Sequence, residues 1–201
     1  MNSPENTTAS SIPGYDYGTP KSATSPVSEG DLSLLEQSAG WTADDAALLA
    51  RHADLFRVKA EAMVDSWRAV IGSQPHLAHW FVGPDGKPDD AYKASVKRRF
   101  VQWVVDVAVR PHDRDWLNYQ HEIGLRHTPA KKNKTDGAHT PPVVPLRYLL
   151  GFIPVVLPIR SFFADAIEDE AELKRLEDAW TKAVILHITL WSRAYVAEDL
   201  W

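Results

Sequence analysis

The stretch Asp115–Gly137 reads DWLNYQHEIGLRHTPAKKNKTDG, an amphipathic segment that runs into a polar, lysine-rich loop. Trp116, Tyr119, Ile123 and His127 recur at spacings of three and four residues, so they share one face of a predicted helix. This spacing places an imidazole on the same stripe as large apolar side chains, in the last turn of that helix.

A histidine in this position has two interpretations. His127 is either a core residue that hydrogen-bonds a backbone carbonyl or the ligand of a haem iron, which in gas-binding proteins most often takes one bond from a histidine. His187 is the rival ligand, although its apolar neighbours also fit a hydrogen-bonded packing residue. We expect His112 to be solvated in a loop and His121 to be exposed.

The composition favours one domain with a tail. The chain has 201 residues, of which 44% are apolar, enough to build one core. The net charge of −5 and the isoelectric point near 5.9 disfavour a nucleic-acid partner. Cysteine is absent, which excludes disulfides and thiolate metal sites. Eight tryptophans indicate either an unusually aromatic core or an enclosed flat ligand.

Neither a secretory signal nor a membrane span is predicted. The N-terminus, MNSPENTTASSIPGYDYG, lacks the basic and apolar regions of a signal peptide. The most hydrophobic run, Val143–Phe163, contains Arg147, Arg160 and several prolines, which a spanning helix tolerates poorly. We therefore expect a cytoplasmic protein that has no membrane partner and buries this run.

Helical periodicity runs through most of the chain, without a convincing strand pattern or an internal repeat. Thr42 and Asp45 resemble a capping box at the start of a helix. The spacing predicts an all-α fold of about eight helices. They comprise helices over Ser28–Gly40, from Thr42, over Ala53–Gly72, from Pro75, over Ala91–Val109 and up to His127, and two long final helices over Leu146–Ala166 and Glu168–Ala197.

Five motifs together resemble the protoglobins, single-domain haem proteins related to the sensor domains of globin-coupled sensors. The resemblance covers the chain from Ile12 to its end, and IGLRH followed by KKNKTDG is its most specific part. The motifs are IPGYDYG at 12–18, WRAVIGSQPHL at Trp67–Leu77, YKASVKRRFVQW at Tyr92–Trp103, WLNYQHEIGLRH at Trp116–His127 and PLRYLLGFI at Pro145–Ile153.

The resemblance implies an expanded globin fold, which is a three-over-three helical sandwich with an extra N-terminal helix and an N-terminal loop. Residues 27–201 would form the globin domain. Residues 1–26 would form a mostly irregular extension, in which 12–18 docks near the haem. The implied cofactor is haem b (iron protoporphyrin IX), with His127 as the proximal iron ligand.

The resemblance also suggests roles for other side chains around the haem. Trp67 and Phe100 would lie on the distal side, where gas binds, and Tyr15 would cover the haem edge. Arg99 is a candidate partner for a haem propionate, which a guanidinium binds through two hydrogen bonds. The lysines at 131–134 either contact propionates or are solvated. Further pocket-lining residues are Phe152 and Val156.

The position after Trp67 departs from the family pattern. The best-known members have a tyrosine there, whose hydroxyl can hydrogen-bond iron-bound oxygen, whereas this chain has Arg68. The guanidinium either reaches the pocket as a stronger donor or extends to solvent or a propionate and leaves the distal side apolar. The second arrangement is favoured because a buried unpaired guanidinium is costly.

Three functions fit these features. The first is a haem protein that binds the diatomic gases O2, CO and NO at a five-coordinate iron. The second is a haem enzyme, an NO dioxygenase or peroxidase acting on reactive oxygen or nitrogen species, served by a separate reductase because the chain has no flavin or nicotinamide motif. The third is a gas sensor that signals in trans.

A homodimer is also expected, through the last two long helices, which correspond to the G and H helices of globins. Phe162, Phe163, Trp180 and Trp191 could form its face. The alternative is that these four aromatic side chains all pack inward.

Overall fold

The computed structural model describes residues 12–201, so the irregular structure expected for residues 1–11 lies outside the described part. Regular structure from residue 12 onwards is helical apart from one isolated antiparallel bridge between Val82 and Pro88. The all-α prediction is therefore confirmed. The helices are α1 (Glu29–Ala39), α2 (Ala43–Arg51), α3 (Ala53–Ser73), α4 (Pro75–Ala78), α5 (Asp90–Val109), α6 (Arg114–Leu125), α7 (Leu146–Val156), α8 (Arg160–Phe163) and α9 (Glu170–Ser192), with 3₁₀ turns at His79–Phe81 and Glu198–Leu200.

Local hydrogen bonds define where the first two helices begin. Ser28 and Thr42 each form a capping box with the acidic residue three positions later, as predicted for Thr42 and Asp45. The backbone N–H of Thr42 donates to Asp45 Oδ2 over 2.8 Å. These reciprocal bonds satisfy backbone donors that have no partner inside the helix. Gly40 ends α1 with φ at 64°, a left-handed conformation that glycine adopts without a steric penalty.

The predicted boundaries of the two final helices are wrong. The expected helix Leu146–Ala166 breaks after Val156, because Pro158 has no backbone N–H with which to continue the helical hydrogen bonds. The last helix ends at Ser192 rather than at Ala197. Beyond it the Tyr195 hydroxyl donates to the carbonyl of Val144 over 2.7 Å, a tertiary bond that directs the chain away from the helix axis.

His127 lies just outside its helix rather than in the last turn. The helix α6 ends at Leu125 and is capped by Arg126. The imidazole nevertheless stays on the predicted stripe, because His127 Nδ1 lies 2.9 Å from the carbonyl oxygen of Ile123, four residues earlier. The side chain thus takes the place of the backbone donor that a continuing helix would supply.

The core forms where α3 packs along α5 and where α2 and α6 pack against α9. Its largest fully buried side chains come mainly from α3 and α9. Phe56 and Trp180 stack there with ring centroids 5.4 Å apart. Burial of these aromatic side chains removes large apolar areas from water, which favours folding.

The four aromatic side chains that were expected to form a dimer face on the last helices pack into the core or against it. Phe163 and Trp180 are 0% exposed in the core. Phe162 and Trp191 pack against that core from its edge. The inward packing that the sequence left open is therefore the correct arrangement for these four side chains.

None of the helices between residues 12 and 201 combines the length and the apolar character needed to cross a bilayer. The hydrophobic run is divided between α7 and α8, which are 11 and 4 residues long. Each is shorter than the roughly 20 residues that a spanning helix needs. The cytoplasmic location stays a prediction.

Helix α6 approaches α9 closely at Gly124, and replacing this residue tests the importance of the contact. A Cβ atom there would lie 2.8 Å from the backbone oxygen of Trp191. We expect Gly124→Ala to lower the free energy of unfolding by about 1–3 kcal/mol, because backbone must move to admit the methyl group. Urea denaturation followed by circular dichroism measures the change.

Gly72→Ala is the matched control, because nothing lies within 4 Å of a Cβ atom built at this exposed helical position. Alanine has the higher helix propensity, so this variant should be unchanged or more stable by up to about 1 kcal/mol. Equal effects at the two positions would show that the approach at Gly124 is not tight.

Candidate functional site

A cavity of about 630 Å³ lies between the helices and is the candidate site. Its volume falls within the roughly 300–1,000 Å³ of small-molecule and cofactor pockets. Side chains from α3, α5, α6, α7 and α9 line it, together with residues of the loop after α6. Six of the residues predicted from the sequence take part in this lining: Arg68, Arg99, Phe100, His127, Phe152 and Val156.

His127 contributes its ring to the cavity wall. A carbonyl oxygen only accepts hydrogen bonds, so the contact with Ile123 makes Nδ1 the protonated nitrogen and leaves a lone pair on Nε2. Burial lowers the pKa of His127 to about 4, so the ring is neutral at neutral pH. The indole of Trp191 stacks against it with centroids 5.8 Å apart. The result is a fixed, neutral imidazole with a lone pair on Nε2, which is the form that binds a metal.

Phe100 and Arg68 line the cavity from α5 and α3. The Arg68 guanidinium donates to the carbonyl of Lys93 over 3.3 Å, which holds it at the cavity wall. Trp67, which the sequence placed on the distal side, is not among the residues that line the cavity. It is 2% exposed and lies behind Phe100, with ring centroids 5.4 Å apart, because its indole also packs against Trp180.

Three cationic side chains line another part of the cavity. Arg99 forms two hydrogen bonds with the carboxylate of Asp136, at 2.9 and 2.6 Å. Arg126 pairs with Glu122 and Asp16, both at 2.9 Å. The predicted propionate partner Arg99 is therefore already bound to a carboxylate of the protein.

Lys132 is the third cation, and it differs from the two arginines. Its side chain is buried, and Nζ donates to the carbonyl of Trp80 over 2.9 Å and to Thr140 Oγ1 over 2.7 Å. Within residues 12–201 it forms no salt bridge. Burial lowers its pKa to about 8, so it still carries a charge at neutral pH. A buried cation without an anionic partner is costly, which fits a site for an anionic ligand group.

Tyr15 is also outside the lining, although the segment at 12–18 lies directly against the body of the protein. Its hydroxyl donates to Asp106 Oδ2 over 2.6 Å, which turns the phenol towards α5. Its ring packs edge-on against Tyr119, a cavity residue, with centroids 5.2 Å apart. Tyr15 therefore contacts the cavity lining through Tyr119.

The remaining histidines are less solvated than expected. His187 is fully buried, and its Nδ1 accepts a 2.8 Å hydrogen bond from Trp103 Nε1, as expected for a packing residue. His112 is not solvated, since it stacks against Trp116 and its Nδ1 lies 2.6 Å from Glu36 Oε1. His121 is half-buried rather than exposed, and its Nδ1 is buried.

Several lining residues were not identified from the sequence: Tyr119, Asp136, Trp103 and Trp191. Lys132 belongs to the lysines at 131–134, for which the sequence left open contact with propionates or solvation. Helical spacing placed Tyr119 and Trp103 on inner faces, but an inner face does not distinguish core from cavity wall. Asp136 and Lys132 lie in an irregular loop, where no periodicity indicates direction. Their roles depend on contacts with α5 that only the fold reveals.

The cavity fits a haem in three respects. A neutral imidazole offers one lone pair, which suffices for a metal held by a porphyrin. The walls are mainly apolar and aromatic, as a flat apolar ring requires. Lys132, a buried cation without an anionic partner among residues 12–201, suits a carboxylate at the edge of a haem. Within residues 12–201 no group of three or more metal-ligating side chains occurs.

Comparisons with known proteins identify the family. The model of the protoglobin family matches residues 28–201. The chain belongs to the protoglobins. No curated protein sequence matches it significantly.

Among solved structures, the globin domain of a globin-coupled sensor from Geobacter sulfurreducens is similar, with a TM-score of 0.65 and 17% identity over 82% of this chain and 97% of that chain. At this identity the similarity shows the fold, and the expected globin fold is confirmed. Membership of the protoglobin family implies a haem-binding globin.

The acid stability of the haem-free protein tests the environment of His127. The pKa of His127 is about 4 in the folded protein against an ordinary value of 6.5, so the unfolded chain binds more protons between these values. As pH falls from 6.5 to 4, this group should lower the free energy of unfolding by up to about 1.4 kcal/mol per pH unit. Urea titrations across this range measure the slope.

His127→Gln should flatten the slope, because glutamine does not titrate. The control His139→Gln removes an exposed histidine and should leave the slope unchanged. A slope that is the same in native protein and His127→Gln would contradict the buried, neutral state of His127.

Proposed function

We propose that this protoglobin binds haem b through His127 and uses it to bind O2, CO and NO. The observation that supports this most strongly is the His127 ring, which lines a cavity of suitable size with Nδ1 held by Ile123 and Nε2 free. When bound, the haem supplies an iron with one open position for a diatomic ligand. The protein residues orient the imidazole, shape the pocket and hold the carboxylates.

The hydrogen bond from Nδ1 to the Ile123 carbonyl has a defined part in this proposal. It sets the tautomer and the ring orientation, and it raises the basicity of Nε2. Stacking of Trp191 on the same ring limits rotation about the side-chain bonds. A ligand held from both sides binds the metal without first losing rotamer freedom.

We assign the distal side to Phe100 and Arg68. Phe100 restricts access sterically, and Trp67 supports it from behind. Because Arg68 is held by the carbonyl of Lys93, its remaining donors set the polarity of the pocket at its rim. A separate reductase would supply the electrons that keep the iron able to bind O2.

We assign the haem carboxylates to the cationic part of the cavity, with Lys132 as the first partner. Lys132 has no anionic partner within the described residues, whereas Arg99 already binds Asp136. A propionate beside Lys132 would neutralise a buried charge and is favoured for that reason.

Haem titration with absorption spectroscopy tests the proposal. We expect one haem per chain, a five-coordinate ferrous spectrum and a shifted Soret band with CO. His127→Ala should lower haem affinity by more than about 100-fold, since loss of a partner outside the first coordination shell alone costs 10- to 100-fold. Added imidazole should restore the spectrum by occupying the space left by the side chain.

His139→Ala, which removes an exposed histidine, should bind haem as the native protein does. Unchanged spectra in His127→Ala would transfer the ligand role to another residue, with His187 the first to be examined. Absence of haem binding in the native protein would contradict the proposed function itself.

We also propose a homodimer through α7 and α9, which pack together. The aromatic side chains point inward, but Leu150 on α7 is 46% exposed and Ile185 on α9 is 38% exposed. Ile185→Glu should convert a sedimenting dimer into a monomer, because a buried unpaired carboxylate is costly. The control Val58→Glu places the same charge at a 76% exposed position on α3. A native protein that sediments as a monomer would refute this proposal.

A further inference from the structure

A column of aromatic rings leads from the cavity wall to the surface. It consists of Trp191, His187, Trp116, His112 and Trp41, which we call the aromatic chain. Successive ring centroids lie 6.2, 5.2, 3.9 and 4.9 Å apart. Each ring is therefore within contact range of the next, and no aliphatic layer separates them.

The inner end of the aromatic chain touches the candidate haem ligand. Trp191 lines the cavity and stacks on His127, with centroids 5.8 Å apart and ring planes 22° apart. Trp103, a second cavity residue, lies 5.7 Å from Trp191 and 5.6 Å from His187. Two cavity-wall indoles thus converge on the same buried imidazole.

The outer end reaches the surface through a stack of three rings. His112 lies between Trp116 and Trp41, with ring planes tilted by 23° and 20° respectively. Trp41 is half-buried, and the Glu36 carboxylate that contacts His112 Nδ1 is 25% exposed. The outermost indole is therefore accessible to small solutes.

Filling the space between Trp191 and Trp116 with His187 lowers stability relative to an apolar side chain. Its Nδ1 accepts from Trp103, so its proton resides on Nε2, which is buried without a partner in the described protein. A buried unpaired donor costs free energy that an apolar side chain would avoid. An imidazole nevertheless completes the contact between the inner and outer tryptophans.

We propose that the aromatic chain conducts electrons from Trp41 to the cavity when hydrogen peroxide is reduced there, so that the oxidising power leaves the haem site and appears at the surface. This inference rests on the proposed haem site. The one-electron-oxidised form of indole is delocalised, which makes tryptophan one of the most readily oxidised side chains. Adjacent rings let an electron move in short steps.

Hydrogen peroxide takes two electrons and two protons and becomes two water molecules. Trp41 loses two electrons in two steps, binds the oxygen of one solvent water and releases two protons, which gives a hydroxyindole. The net change is that Trp41 and one peroxide give hydroxylated Trp41 and one water. A small one-electron reductant such as ascorbate would intercept the first step and restore Trp41.

Isotope labelling and peptide mass spectrometry test the proposal with the haem-loaded protein, after its haem content has been measured by absorbance. The protein is treated without O2 with one equivalent of peroxide that contains ¹⁸O. We expect one added oxygen at Trp41, free of ¹⁸O because it comes from water. Trp116→Phe, which interrupts the aromatic chain, should lose this modification down to the level of the haem-free protein.

Trp201→Phe is the matched control. Trp201 is a half-buried tryptophan that makes no ring contact with the aromatic chain within the described residues. Its replacement should leave the Trp41 product unchanged. Trp116 is 1% exposed, so its replacement risks disturbing the fold. A variant at half-buried Trp41 therefore provides a second, independent test. In Trp41→Phe the product should shift inward to Trp116.

Other outcomes overturn the inference. One is ¹⁸O at Trp41, which would mean direct attack by peroxide. Another is oxidation confined to cavity-wall indoles or to Tyr15 and Tyr17, which lead away from Tyr119. A Trp41 product that persists in folded, haem-loaded Trp116→Phe would also overturn the inference, because electrons would then not pass through Trp116. A protein that fails to bind haem refutes the proposed function as well, and the absorbance measurement identifies that case separately.

Discussion

The structure depends on a core that is built around a space rather than filled by its own side chains. Atoms in the wall of the 630 Å³ cavity lack the close contacts that a filled interior would give them. The apolar walls therefore make sense as a site for a large ligand, whose contacts replace those that the side chains lack.

Two local features position the His127 imidazole at the wall of this space. The bond between His127 Nδ1 and the Ile123 carbonyl orients the ring, and the close approach at Gly124 brings α6 against the backbone of Trp191. Trp191 in turn stacks on the imidazole. A side chain at position 124 would separate the two helices, so the packing of the fold and the geometry of the site depend on the same contact.

Two buried polar side chains are not needed for the packing of an apolar core. Lys132 is buried beside the cavity without an anionic partner among the described residues, and His187 is buried with an unpaired Nε2. If packing were the only role of these two side chains, an apolar residue could replace each of them with little loss of stability. The proposed haem carboxylate would account for the first, and the proposed movement of electrons along the aromatic chain would account for the second.

Local patterns in the sequence determined the helices, the capping boxes and the stripe that ends at His127, because these depend on residues three or four positions apart. They also indicated the family, through motifs that span the chain. Only the tertiary structure decided that Trp67 lies behind Phe100, that Arg99 binds Asp136 and that His112 joins two tryptophans. Those contacts join residues far apart in sequence, and periodicity shows which way a side chain faces but not what it meets.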